Sequence, residues 1–391
     1  MNTANNFDYI FCGLGMANLS LLVRGLEEGI FDHKAVLLID PKPLADRGND
    51  RTWCFWSDEA LPFDFLVSKA WSKMHFFTQE GTHIPLRPRR YVYQMIRSAD
   101  FYAYAQAVIS QFSNITTVVA SVSHIDSKIG RVTAGEQDYE APVVFNSISP
   151  DLSSFGEHPT LLQHFKGLMI ETPTLHQFEK HEMYLMDFRC PQTEGTTFFY
   201  VLPVAPNRIF VEYTFFSPKV LAEEVYREGL KEYISKTLKI RTFDVVEEEF
   251  GIIPMTSFPF KRNEGKVVNL GVVGGDTRGS TGYTFRNTQF VVGQLIKSIK
   301  KGKSLEVNEP VSAVHQMFDE TILRVLLAQK EYNGAQIFAD LFSKLPTHLM
   351  LSFLDGSTSS LENLRVMSAV KAQHFIKPFW NAYKNQKMKP S

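Results

Sequence analysis

The sequence predicts an α/β fold with a Rossmann-type three-layer domain, an inserted antiparallel β-sheet and a helical C-terminal part. Three observations support this prediction. An apolar strand near the N-terminus enters a glycine-rich turn and then a helix. Strand-like runs separated by proline and glycine fill residues 163–212, and residues 311–380 are rich in Phe and Leu at helical spacing.

Residues 7–40 follow the element order of a dinucleotide-binding βαβ unit. The apolar run at 9–11 enters the turn at 12–18, a helical pattern follows, and a second strand at 35–39 ends on Asp40. The order of strand, glycine turn, helix, strand and acid is much more informative than a pair of glycines alone. The sequence therefore predicts a nucleotide site at the start of the chain.

Each part of this turn has a physical role in the prediction. Gly13 permits a tight turn out of the strand, and Gly15 lets the backbone approach a pyrophosphate at the positive end of the helix. Asn18 replaces the third glycine of the usual motif. Asp40 is expected to bind the ribose. Because the unit begins at residue 7, it favours bound FAD over a separate nicotinamide domain.

Composition excludes several classes of function. The 391 residues have a formal net charge of −1, which gives no electrostatic case for a nucleic-acid partner. The three cysteines and eleven histidines show no metal-ligand spacing, so no metal site is predicted. The N-terminus lacks the regions of a signal peptide, and no apolar run is long enough to span a bilayer. We expect a reducing, cytoplasmic location.

The loop after the second strand runs from polar residues into an aromatic cluster. In a flavin-binding fold this connection passes over the cofactor, so Arg51 is a candidate phosphate ligand and Trp53 a candidate to face the ring. The alternative is a surface turn covered by core tryptophans. Further on, residues 91–112 predict one long helix, and residues 116–148 predict strands.

Residues 266–289 contain a second glycine-rich turn. A strand enters Gly275 and Asp276, and a loop of small residues that includes Thr281 and Gly282 precedes a helix beginning near Tyr283. Such a helix N-terminus can receive an anion. Asp276 is a candidate acceptor for a ribityl hydroxyl, or alternatively a helix cap.

The 32 phenylalanines occur in clumps and allow two interpretations, an ordinary aromatic core or a long apolar substrate tunnel. The predicted organisation has three parts. They are a discontinuous FAD-binding domain (1–70, 85–160 and 245–300), an inserted substrate domain (71–84 and 161–244) and a helical C-terminal region (301–391).

Several stretches, in this order, resemble the bacterial lycopene cyclases of carotenoid synthesis. The resemblance extends over nearly the whole chain, including residues 341–367. Asn18 fits it, whereas Arg51 stands where His is common and residues 276–278 stand near a common Lys-Pro. The matching stretches are GLGMAN at 13–18, RTWCF at 51–55, YVLP at 200–203, VEYT at 211–214, EFGIIPM at 249–255, GDT at 275–277 and STGYTF at 280–285.

The resemblance implies a lycopene β-cyclase, which converts the open ψ end groups of lycopene to β-ionone rings without net redox change. It implies reduced FAD as cofactor, with NADPH or NADH as reductant. Protonation of an end-group alkene creates a carbocation, which reduced flavin stabilises in a dry pocket. The substrate is lycopene or a related carotene. Since that substrate lies in bilayers, peripheral membrane contact is expected, with the apolar C-terminal helices as the candidate surface.

Glu212 is the predicted acid–base residue. It interrupts an apolar run at 209–213, and an acid buried among aromatic residues keeps a raised pKa and its proton. Strand alternation alone favours an outward-facing Glu212, and the resemblance reverses that preference. Glu249 is the second catalytic candidate, or alternatively it supports the turn at Gly251 or contacts the flavin.

Two other functions stay open at this point. One is an FAD-dependent hydroxylase or prenyl reductase acting on an apolar isoprenoid. The other is a non-catalytic carotenoid-binding or scaffolding protein. The sequence does not predict the oligomeric state. The predicted cofactor-binding residues are Gly13, Gly15, Met16, Ala17, Asn18, Asp40, Arg51, Trp53, Gly275, Asp276, Thr281 and Gly282.

Overall fold

A computed structural model of the chain describes residues 5–173, 178–179, 181–328 and 331–387. Residues 1–4 of the predicted N-terminal domain and 388–391 of the C-terminal region lie outside it. The strands are β1 Asn5–Asn6, β2 Tyr9–Cys12, β3 Val36–Asp40, β4 Thr52–Ser57, β5 Val67–Trp71, β6 Lys73–Phe77, β7 His83–Leu86, β8 Val92–Arg97, β9 Ile115–Val119, β10 Val122–Asp126, β11 Arg131–Ala134, β12 Gln137–Glu140, β13 Val143–Asn146, β14 Thr160–Glu171, β15 Glu182–Asp187, β16 Thr196–Ala205, β17 Arg208–Ser217, β18 Asp244–Thr256, β19 Asn263–Glu264 and β20 Val267–Asn269. The helices are α1 Met16–Glu27, α2 Ser98–Ile109, α3 Glu223–Glu232, α4 Phe285–Lys300, α5 Ala313–Leu327, α6 Gly334–Lys344, α7 Thr347–Leu354, α8 Ser360–Ala369 and α9 Ile376–Lys387.

Six of the described strands form the nucleotide-binding sheet, in the order β19-β20-β13-β2-β3-β9. All its pairs are parallel except β19 with β20. Helices α1, α2 and α4 pack their apolar sides on one face. The small sheet of β1, β10, β11 and β12 covers the other face. This is the predicted three-layer α/β arrangement, and β13 returns to the parallel sheet as expected.

Asn18 holds the first helix against this sheet. Its buried side-chain amide donates hydrogen bonds to the backbone carbonyls of Cys12 at 3.0 Å, Gly13 at 2.8 Å and Phe145 at 3.2 Å. A third glycine usually allows a close approach of helix and strand at this position. Here an amide joins α1 to the two neighbouring strands β2 and β13, so Asn18 stabilises the turn between β2 and α1.

Seven described strands form a second, larger sheet, in the order β18-β14-β17-β16-β15-β6-β7. Its pairs are antiparallel apart from β15 with β6, which is parallel. Helix α3 covers one face, and the C-terminal helices α5 to α8 pack against the other. Strands β14, β16 and β17 are therefore buried on both faces, which explains their long apolar runs.

Two predicted boundaries are corrected by this sheet and its neighbour. The sequence assigned residues 245–256 to the FAD-binding domain, but β18 pairs along β14 in the larger sheet. Residues 91–112 were predicted as one helix, whereas β8 precedes α2. Strand β8 pairs with β4 and β5, and its side chains alternate between buried and half-buried for most of its length. The period of two in this stretch is the signal that the helix prediction missed.

The clumped phenylalanines are largely core residues. Phe76, Phe198 and Phe199 are fully buried within the larger sheet and its covering helices. Phe65 is an exception at 66% exposure. The aromatic-core interpretation therefore accounts for most of these clumps.

Candidate active site

A deep cleft lies where the nucleotide-binding sheet, the larger sheet and the loop before α4 meet. It encloses about 310 Å³, which lies at the lower end of the roughly 300–1,000 Å³ typical of small-molecule sites. The residues of its walls are Gly15, Met16, Ala17, Arg51, Thr52, Trp53, Cys54, Tyr93, Ser147, Ser149, Gln163, Phe165, Tyr200, Leu202, Phe210, Glu212, Glu249, Ile252, Ile253, Gly271, Val272, Thr281, Gly282, Tyr283, Thr284 and Phe285.

The N-terminal turn opens on this cleft with the geometry that a phosphate needs. Gly13 has a φ of +82°, which glycine adopts without strain. Gly15 precedes α1 with no side-chain cap, and the first turn of the helix contains no acidic residue. A Cβ on Gly15 would meet no heavy atom within 4 Å. The free N–H groups and the positive end of α1 therefore face open space that suits a pyrophosphate.

The second glycine-rich loop divides between two environments. Thr281 and Gly282 line the cleft, and a Cβ on Gly282 would come within 2.2 Å of the side-chain oxygen of Gln163. That oxygen is buried and accepts no hydrogen bond from the protein. A hydroxyl or N–H group of a bound ligand would satisfy it. Gly275, by contrast, lines a separate cavity on the other side of the loop.

Asp276 has a structural role. It is fully buried, and its carboxylate accepts hydrogen bonds from Arg262 Nη1 at 2.6 Å, from the N–H of Gly271 at 2.7 Å and from Thr288 Oγ1 at 2.9 Å. It does not line the cleft, so the interpretation of Asp276 as a ribityl acceptor is corrected. Its carboxylate instead ties the loop to α4 and to the buried Arg262.

Asp40 lies beside the turn and is also occupied by protein groups. Its Oδ2 accepts from the N–H of Leu14 at 2.7 Å, and its Oδ1 accepts from the N–H of Lys42 at 2.9 Å and pairs with Arg47 at 2.6 Å. The guanidinium of Arg47 lies over the ring of Tyr102. Asp40 therefore stabilises the turn and positions Arg47 in this structure.

Arg51 and Trp53 both line the cleft. Arg51 donates from Nη1 to the backbone carbonyl of Phe250 at 3.0 Å, which links the loop to β18. The Trp53 ring packs edge-on against Phe101 at 5.2 Å and parallel to Phe285 at 6.3 Å. The loop is thus part of the site wall as well as being supported by core aromatics.

Glu212 faces the cleft from the middle of β17. Its neighbours Val211 and Tyr213 point to the opposite face, under α3. Thr214 Oγ1 donates to Glu212 Oε1 at 2.6 Å. Burial, and secondly the negative charge of Glu249, raise the pKa of Glu212 to about 8, against the smaller opposing effect of the Thr214 hydrogen bond. Glu212 therefore keeps its proton at neutral pH.

Glu249 enters the same cleft from β18. Its Oε1 accepts a hydrogen bond from the N–H of Thr52 at 3.0 Å, while its buried Oε2 has no protein partner. Burial raises the pKa of Glu249 to about 6, and the bonds from Thr52 oppose that rise. Glu212 and Glu249 both pair in register with Gly167 of β14. The sheet thus holds a protonated and an ionised carboxyl on either side of one glycine.

Three tyrosines that the sequence reasoning did not select complete the apolar end of the cleft. The hydroxyl of Tyr283 lies 3.4 Å from those of Tyr93 and Tyr200. Burial raises the pKa of Tyr283 to about 12, so this cluster is neutral. Tyr200 and Tyr283 belong to the matching stretches, but Tyr93 fell in the mispredicted helix. Its strand alternation was the signal that could have found it.

Among residues 5–173, 178–179, 181–328 and 331–387, no three His, Cys, Asp or Glu side chains are grouped to hold a metal ion. In the same part of the chain, no helix has the length and apolar character required to cross a bilayer.

Solved structures share this fold. A geranylgeranyl bacteriochlorophyll reductase-like protein from Thermoplasma acidophilum matches with a TM-score of 0.62 at 10% identity, over 98% of this chain and 100% of its own. A probable FAD-dependent monooxygenase from Pseudomonas aeruginosa matches with a TM-score of 0.55 at 12% identity, over 90% of this chain and 99% of its own. The chain thus has the α/β fold of FAD-dependent oxidoreductases and monooxygenases.

Sequence relatives give a more specific result. A lycopene beta-cyclase from Pantoea ananas is 26% identical over 262 residues, covering 64% of this chain and 63% of its own. A chloroplastic neoxanthin synthase from Solanum tuberosum is 24% identical over 328 residues, covering 76% of this chain and 61% of its own. The matched region therefore spans less than two thirds of the length of these curated relatives. The family described as lycopene cyclase protein matches residues 8–382. Because this match covers nearly the whole chain, the protein belongs to the lycopene cyclase family.

Proposed function

We propose that the protein is an FAD-dependent lycopene β-cyclase that closes the open ψ end groups of lycopene, or of a related carotene, into β-ionone rings. The observation that carries this proposal is Glu212, a carboxyl that keeps its proton at neutral pH and faces a cleft beside a phosphate-receptive helix. Family membership and the Pantoea ananas relative support the choice of substrate.

The walls of the cleft fit FAD at two places. The N–H groups of Met16 and Ala17, in the first turn of α1, face open space and are suited to the pyrophosphate. Thr281 and Gly282, with the unpartnered oxygen of Gln163, suit the polar chain that links the phosphates to the ring. FAD in its reduced form, produced with NADPH or NADH, supplies an electron-rich ring that stabilises nearby positive charge.

In this proposal Glu212 donates its proton to the terminal alkene of one end group. The carbocation left on the substrate is attacked by the next double bond, and a carbon–carbon bond closes the six-membered ring. Glu249, which is ionised near neutral pH, is the candidate to accept the proton released from the ring. One proton is added and one removed per end, so the product is an isomer of the substrate.

The remaining wall residues act on the same cation. The neutral rings of Tyr93, Tyr200 and Tyr283 exclude water and present aromatic faces to positive charge. In a dry site the two carboxyls and these rings act more strongly than they would in water. The apolar substrate also supports the expectation of peripheral contact with a membrane surface.

Co-expression with a lycopene-producing pathway tests the proposal. We expect the red pigment to become yellow-orange, with products of the same mass as lycopene. Unchanged lycopene would overturn the proposal. A product that differs by the mass of oxygen or hydrogen would favour the hydroxylase or reductase instead. Purified protein without flavin absorbance would favour a carotenoid-binding protein without catalytic activity.

A further inference from the structure

A second cavity lies among the C-terminal helices, outside the candidate active site. This groove, bounded by α5, α6, α7, α8 and α9, encloses about 240 Å³. Its walls are almost entirely apolar and include the rings of Phe318, Phe353, Phe375 and Phe379. A groove of this character suits a hydrocarbon chain.

Helices α8 and α9 expose large apolar side chains to solvent, and this set is called the apolar rim. Two of its members, Ile376 and Trp380, also line the groove. Leu361 is 79% exposed, Leu364 61%, Ile376 57% and Trp380 54%. Leu361 and Leu364 belong to α8, and Ile376 and Trp380 belong to α9. Isolated exposed apolar residues are ordinary, but a group around an apolar groove marks an interaction surface.

The segment that contains α8 and α9 is basic in a protein of formal net charge −1. Residues 360–387 contain five basic side chains and one acidic side chain, and all six are exposed. The acid, Glu362, caps α8 through Ser359. On the helices packed beneath, Glu320 pairs with Arg324 and Asp340 with Lys344. The basic residues are Arg365, Lys371, Lys377, Lys384 and Lys387.

The groove adjoins the candidate active site. Ser280 lines the groove, while the next two residues, Thr281 and Gly282, line the cleft. Tyr283 lines both the cleft and a small cavity that also touches Leu354, a wall residue of the groove. One loop and a few side chains therefore separate the two spaces.

We propose that the face formed by α8 and α9 docks on a lipid bilayer with anionic headgroups, and that the groove receives the hydrocarbon chain of the substrate from that bilayer. The exposed apolar rim enters the interfacial layer and the basic residues meet the anionic lipids. The identity of the chain in the groove rests on the proposed function. The docking itself does not.

Vesicle flotation of the full-length protein tests the docking. We expect flotation with vesicles of equal parts phosphatidylcholine and phosphatidylglycerol and much less with phosphatidylcholine alone. The double variant Lys377→Gln and Lys384→Gln should bind the anionic vesicles roughly thirtyfold more weakly, since each such charge contributes a factor of about five. The exposed lysines Lys128 and Lys301, changed to Gln together, form the control pair and should bind like the unchanged protein.

The apolar rim has its own test. Leu361→Gln should also weaken binding to anionic vesicles, whereas Val119→Gln, at an exposed apolar position on β9, should not. Trp380 fluorescence should be quenched by vesicles of brominated lipid. Trp380→Phe should lose most of that quenching, because Trp56 and Trp71 are buried and Trp53 is half-buried in the wall of the cleft.

Several results would overturn the docking proposal. They are no flotation with either vesicle, equal flotation with both, or rim and lysine variants that bind like their controls. A dimer in light scattering that Leu361→Gln dissociates would assign the surface to a second copy of the chain instead. Because these measurements need neither flavin nor lycopene, their failure leaves the cyclase proposal standing, and failure of cyclisation leaves the docking result standing.

Discussion

Strands β17 and β18 flank β14 and each presents one glutamate to the cleft, yet the two glutamates differ in charge. Glu212 receives a hydroxyl hydrogen bond from Thr214 and faces a negative neighbour, and its pKa is raised to about 8. Glu249 receives a backbone N–H from Thr52, and its pKa is raised only to about 6. Burial acts on both, so the local donors and charges separate an acid from a base.

Glu212→Gln gives the largest expected effect, because it removes the proton donor while keeping the shape of the side chain. We expect the rate of cyclisation to fall by about 10²–10⁴, with the fold and the bound flavin unchanged. The rate is measured by chromatography of carotenes from purified enzyme and lycopene.

Glu171→Gln is the matched control, since this glutamate lies at the end of β14 and pairs with Arg208 away from the cleft. A Glu212→Gln enzyme that keeps more than half its activity would assign proton donation to another group.

Gly167→Ala tests the residue that separates the two glutamates. A Cβ there would lie 2.3 Å from Cζ of Phe210, so this ring, which lines the cleft, must shift. We expect a loss of about 1–3 kcal/mol of folding stability and a fall in activity of roughly tenfold. Thermal unfolding and turnover are measured together. Gly48→Ala, where a Cβ meets nothing within 4 Å, should change neither.

Glu249→Gln tests how the two glutamates interact. In the unchanged enzyme, activity should fall as pH rises through about 8, where Glu212 loses its proton, and as pH falls through about 6, where Glu249 gains one. The variant should lose the acid limb. Its alkaline limb should move to lower pH, because removing a negative neighbour lowers the pKa of Glu212. A pH–rate profile identical to that of the unchanged enzyme would show that the two groups do not interact.

Thr214→Val has the smallest expected effect. The hydroxyl stabilises the ionised form of Glu212, so its loss should raise the pKa of Glu212 and move the alkaline limb to higher pH. The rate at neutral pH should change by no more than about threefold. Thr117→Val, at an exposed position in β9, is the control. A shift of the alkaline limb to lower pH would contradict the assigned role of Thr214.

The parts of the structure that were predicted correctly are those determined by residues close together in the sequence. The strand, turn and helix of residues 9–27 follow from glycine spacing and apolar periodicity, and the three-layer architecture follows from the order of elements. The helical C-terminal part was also predicted, because its periodicity is continuous. The placement of Glu212 and Glu249 depended on the family resemblance, since strand alternation alone pointed Glu212 outward.

The errors arose where the role of a residue or the sheet of a strand depends on contacts with residues distant in the sequence. Asp276 follows a glycine pair, a pattern that suits a ligand and a structural acid equally, and the position of Arg262 settles it. The sequence of β18 predicts a strand but does not indicate which sheet it joins, and only its pairing with β14 places it in the larger sheet. Gln163 gave no local signal, because an unpartnered amide oxygen is visible only in three dimensions.

The parallel pair of β6 with β15 constrains how the protein is assembled. Lys73 pairs with Glu182, so the outer edge of the larger sheet is the hairpin of β6 and β7. This hairpin comes from the N-terminal half of the chain, far in sequence from β14 to β18. No single cut can release the sheet that bears both carboxyls as a separable fragment. Such long-range pairing slows folding, and we expect the nucleotide site and the carboxyl pair to form in one cooperative step.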